Sequence, residues 1–182
     1  MQFDPTAYGG QVAGILALDR NGERLMPLAM GTCSCEEARQ RLSSTTAQLL
    51  FAGSRAPEAA LSGLYLYFSC IDEAHQIAQN VDTPDGSYWH GIVHRQEPDA
   101  SNAGYWFRQV GAHPIFDVLR QKAAEIGVDF GPRWDPFAFI DYCEKARRSP
   151  GSGEERRALE VQRAEWQLLF DHCAAKAAGR AR

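Results

Sequence analysis

The chain has 182 residues, with 19 basic and 23 acidic side chains and a net charge of −4. That length suits one domain burying its own core, and the lack of any long basic run argues against a protein built to neutralise nucleic-acid phosphates. No apolar run approaches the roughly 20 residues that span a bilayer, and the opening MQFDPTAYGG lacks a signal peptide's basic head and apolar segment, so a cytoplasmic protein with no membrane partner is expected.

The first thirty residues read either as a hairpin about Asn21-Gly22 or as a helix carrying Val12, Ile15 and Leu16. The apolar positions do not alternate, which favours the helix. The five cysteines, at 33, 35, 70, 143 and 173, are odd in number and scattered, which is no disulfide framework. Cys33 and Cys35 lack the second close pair that a structural zinc site uses. They read as small residues at a helix entrance, where a Cys35 in the first turn would have a more acidic thiol.

The sequence SCEE has the form of a capping box, Ser34 capping and Glu37 reaching back. Ala38, Leu42, Thr45, Leu49 and Ala52 follow at helical spacing and Gly53 supplies a stop, so a helix is expected over residues 35–52. Pro57 opens the next segment, whose seam of Leu61, Leu64, Phe68, Ile71, His75 and Ala78 turns His75 toward the interior. Asp82 or Thr83 can cap a helix over 84–97 that Pro98 ends. A shorter helix is expected near 101–110, then one begun by Pro114 and closed by Gly127, and one begun by Asp135-Pro136. The loop RRSPGSGEERR precedes a long C-terminal helix. The expected fold is all-α, a single domain over residues 1–182 that bundles four or more core helices.

One stretch, DGSYWHGIVHRQEPDASNAGYW at residues 85–106, raises a chemical question. At about 100° per residue, Trp89, Ile92 and Val93 centre one face of its helix, and His90, His94 and Glu97 cluster about 110° round from it. That is the shoulder of the buried stripe, where cofactor sites in helix bundles are built. Histidines at i and i+4 can direct their nitrogens to one ion, and a carboxylate one turn on can join as ligand or act as general base. His75 from the preceding helix offers a third nitrogen, and His113 is a less constrained candidate. The set lacks the H-E-x-x-H pattern of metalloproteases. Asp72 and His75 lack the glutamates of a di-iron bundle.

Trp89 and Trp106 could wall a pocket, and Arg95 or Arg108 could orient an anionic group. The aromatics have an ordinary structural use as core, and Asp99 and Asn102 in the same stretch can cap the next helix. The block YWHGIVHRQEPD…YWFRQVGAHPIF resembles one carried by uncharacterised bacterial proteins. The resemblance covers about a fifth of the chain and implies no activity, so no residue role is carried over from it. Two functions are therefore expected in competition. One is a single divalent ion (zinc, iron, manganese or nickel) on His75, His90 and His94, whose bound water hydrolyses a small polar substrate. The other is a metal-free binding or interaction module with structural histidines. Convergence of the three imidazoles would discriminate between them. Metal-free acid–base chemistry by His90 and Glu97 has less support, since no nucleophile stands beside them.

Overall fold

A computed structural model of the chain describes residues 3–176, and the architecture is all-α. Asp4 caps a short 3-10 turn over Pro5–Tyr8 by accepting from the Thr6 amide. It leads into α1 (Gly10–Leu16), which buries Val12, Ile15 and Leu16 as the apolar spacing predicts. Asn21-Gly22 lies in a second 3-10 turn, and no hairpin forms there.

The helix expected over 35–52 is two helices, α2 (Glu36–Ser43) and α3 (Ala47–Leu50). The hydroxyl-rich run Ser43-Ser44-Thr45-Thr46 divides them. Ser43 and Ser44 donate back to the carbonyls of Gln40 and Arg41, and Thr46 leaves the helical region to cap α3. The expected capping box does not form either. Cys35 occupies the N-cap, Glu37 pairs with Arg41, and the Ser34 amide donates to Phe68 O at 2.7 Å.

The seam from Leu61 to Ala78 is likewise interrupted, giving α4 (Pro57–Tyr67) and α5 (Ile71–Ala78). Ser69 turns the chain at φ 56°. Arg24, distant in sequence, donates to Tyr67 O and to Ser69 Oγ, so the break is held by a tertiary contact. Cys33 and Cys70 form a disulfide across this corner, with Cα atoms 4.3 Å apart. The sequence offered no framework because Cys33 reads as a helix-entrance residue while Cys70, 37 positions on, falls inside the expected helical seam.

Downstream, Thr83 caps α6 (Pro84–Gln96) and Asp99 caps α7 (Ala100–Val110). Left-handed Gly127 closes α8 (Phe116–Ile126), Asp135 caps α9 (Pro136–Ala146), and Ser152 caps the long α10 (Gly153–Ala174). Helix α6 packs between α5 and α7 and against α4. Two of its contacts with neighbouring helices need glycine: a Cβ on Gly63 of α4 would lie 2.5 Å from the Trp89 ring, and one on Gly91 would lie 2.9 Å from Phe107 of α7. Such close approach leaves the side chains of α6 little freedom to move. Two apolar clusters fill the interior, one about α1 and α4–α7 with part of α10, the other about α8 and α9. Phe116 and Leu168 pack against both. Among the described residues, no helix is long and apolar enough to cross a membrane.

Candidate metal centre

Helical phase puts His90 and His94 on one side of α6, their rings stacked with centroids 4.7 Å apart. Helix α5 runs alongside and brings the His75 ring to 4.6 Å from His90 and 5.1 Å from His94. One nitrogen from each of the three lies within 4.8 Å of the others.

The three imidazoles are supported differently. His94 Nδ1 is 2.7 Å from Glu97 Oε2, within the last turn and exit of α6, and the Asn102 amide nitrogen approaches the same atom at 3.3 Å. With its proton on Nδ1, His94 donates to Glu97 and keeps the Nε2 lone pair free, the arrangement by which a carboxylate orients a ligating histidine. Glu97 therefore meets the histidine where the sequence suggested a ligand or a base. His90 is 3% exposed, and both of its ring nitrogens are buried with no hydrogen-bond partner. Its ring is covered by Trp106, stacked at 3.9 Å. Burial first, then the neighbouring His94 and His75, push the His90 imidazolium pKa down to about 3. At neutral pH it is an uncharged lone-pair donor.

Of the four residues expected to bind substrate, Trp89 and Trp106 as walls and Arg95 and Arg108 toward an anionic group, Trp106 alone stands against the imidazoles. Trp89 is fully buried against Gly63 of α4, where it serves helix packing. Arg95 is 1% exposed and forms an ion pair with Glu165 of α10, which also accepts from Tyr88 Oη at 3.1 Å. Its guanidinium lies 4.5 Å over the Phe139 ring, so its charge is engaged within the core. Arg108 is exposed and sits 5.8 Å over Phe137, beside a groove lined by Phe116, Arg133 and Trp134. About 100° of helix phase turns Trp89 away from His90 and Arg95 away from His94, and Arg108 lies on α7, distinctions that proximity in sequence does not make.

His113 belongs to another group. Its Nε2 is 2.9 Å from Asp85 Oδ1, and His172 of α10 approaches the same oxygen at 3.3 Å. Burial alone would raise the Asp85 carboxyl, but the His113 hydrogen bond and the nearby His172 hold it below its usual value. Burial lowers His172 against the pull of Asp85. His172 had no signal in the sequence beyond a lone histidine late in a long amphipathic helix. No protein-family model matches the chain, and neither a curated protein nor a solved structure matches it.

Proposed function

We propose that the chain holds one divalent metal ion on His75, His90 and His94 and uses it to hydrolyse a small polar substrate. The observation that carries this reading is the pair of unpartnered nitrogens on buried His90. Buried polar groups are ordinarily satisfied, and a metal-free module gives this imidazole no partner. Three imidazole nitrogens that leave a fourth position to water or substrate suit zinc first, with iron(II), manganese and nickel as competitors. Such an ion supplies an acidified water and polarises a bound carbonyl or phosphoryl oxygen. Within the protein, Glu97 fixes the His94 tautomer, and Trp106 covers His90 and shields the site from bulk water.

Elemental analysis of protein purified without a metal-affinity tag, beside a His90→Ala/His94→Ala variant, tests the site. Metal lost in the variant supports the reading, and a screen of small esters, amides and phosphoesters with that ion then tests hydrolysis. No ion lost in the variant, after incubation of both proteins with zinc, iron(II), manganese and nickel, overturns it. The Cys33–Cys70 bridge bears on the expected cytoplasmic setting, because disulfides persist mainly in oxidising compartments. Thiol labelling in freshly lysed cells separates a reduced cytoplasmic pair from a permanent bridge.

A further inference from the structure

We propose that Asp85, His113 and His172 form a second divalent-cation site, which ties the end of α10 to the head of α6. Asp85 lies in the first turn of α6, His113 in the connection between α7 and α8, and His172 in the last turn of α10. One ligand atom from each lies within 4.8 Å of the others. Asp85 is free for this role because Thr83 already caps the helix, accepting from the Gly86 amide. Its Oδ1 faces two imidazole nitrogens, at 2.9 and 3.3 Å. A single carboxylate oxygen approached by two rings from separate elements is the donor arrangement of a two-histidine, one-carboxylate ion site.

The surroundings narrow the choice of ion. The His113 side chain is 1% exposed, with Asp85 at 14% and His172 at 12%, so the group is enclosed on most sides. Arg55 acts on both Asp85 and His172 with its positive charge. That field opposes a hard cation held by charge alone and leaves the advantage to ions with affinity for imidazole, zinc or iron(II). Ligation through His113 Nε2 puts the ring proton on Nδ1 and gives up the 3.4 Å contact from the Ile115 amide, which is at the long limit of a hydrogen bond. At about 100° per residue, Asp85 is turned roughly 140° and 180° round α6 from His90 and His94. The two ion sites therefore occupy different sides of one helix.

The test begins with the His90→Ala/His94→Ala variant, which keeps the Asp85 group intact. Native mass spectrometry with added zinc should find an ion still bound, and thermal unfolding should shift upward with zinc over chelator. Adding His172→Ala should abolish both, and Asp85→Asn should weaken zinc binding by more than about 100-fold, beyond the loss of an outer-shell partner. Retention of zinc supports this site whatever becomes of the tri-imidazole, so the two readings fail separately. No zinc in the double variant overturns the proposal. So does an Asp85→Asn destabilisation equal in zinc and in chelator, which would make the group a plain hydrogen-bonded network. Should the double variant not fold, cobalt(II) titration of otherwise native protein with and without His172→Ala reads the same site. A ligand-field band lost on substitution supports the proposal, and an unchanged spectrum overturns it.

Discussion

On α6 the guanidinium of Arg95 and the imidazole of His90 are both almost inaccessible, and they meet burial in opposite ways. Arg95 directs its terminal nitrogens to Glu165 and to Gln162 Oε1, while Gln162 in turn donates to Met26 O at 2.8 Å. His90 has two polar atoms and gives neither to the chain. The first group is nearly closed, the terminal nitrogens of Arg95 answered by other side chains and its Nε alone left without a partner. The second is open, with donors that agree on a point in space. A closed network rigidifies a core, whereas an open one invites a ligand.

The largest expected effect attacks the closed network. Glu165→Ala leaves a buried guanidinium uncompensated and should cost about 3–5 kcal/mol, read by urea denaturation. The double change Arg95→Met/Glu165→Met should cost far less, since it removes both charges. Equal losses in the two proteins would mean that the pair is not sealed as described. Next comes the open group. Zinc at about 100 times its dissociation constant should add about 2.7 kcal/mol of stability through a single site, and His75→Ala should remove that site's share while leaving the metal-free protein little changed. A His75→Ala protein with an undiminished zinc response would break the comparison.

A third polar group sharpens it from the backbone side. Tyr67 Oη accepts from the Gly22 and Arg24 amides at 3.1 and 3.0 Å and donates to Asp19 O. Tyr67→Phe leaves those amides without this acceptor and should cost about 1–3 kcal/mol. Burial pushes the phenol up to about 12. Because the folded pKa is raised, its contribution is intact below the ordinary value of about 10 and is lost as pH rises through about 12. Stability read by urea denaturation between pH about 10 and about 12 should fall more steeply in the native protein than in Tyr67→Phe, and equal slopes in the two would mean that this phenol is not held as described. The smallest effect is at the edge of the open group: Glu97→Gln should weaken metal binding about tenfold with the fold unchanged, measured by competition with a chromogenic chelator.

Much of this arrangement is legible in the residues themselves. The spacing of His90 and His94 and the place of His75 on a seam follow from helix period, so their convergence could be anticipated. Caps at Thr83, Asp99 and Asp135 are local chemistry and stand where they were expected. What stayed hidden depends on distant contacts. The seam through Phe68 keeps helical period across a corner that Arg24 and the Cys33 bridge hold from elsewhere. Arg95 and Trp89 share a short stretch with the histidines, yet α10 and α4 claim them. His172 reaches Asp85 across about half the chain's length, and no spacing rule joins residues so far apart.

The Cys33–Cys70 bridge has a consequence for the protein as a polymer. It closes a covalent ring of chain that contains α2, α3 and α4 whole, with His75 just outside it. The exposed stretch at Ala52-Gly53 lies within that ring. A protease that cuts there opens the ring without dividing the molecule, and the nicked chain runs as one species until it is reduced. The pieces remain tethered five residues before His75, so a backbone cut in this segment does not release the third imidazole from its helix.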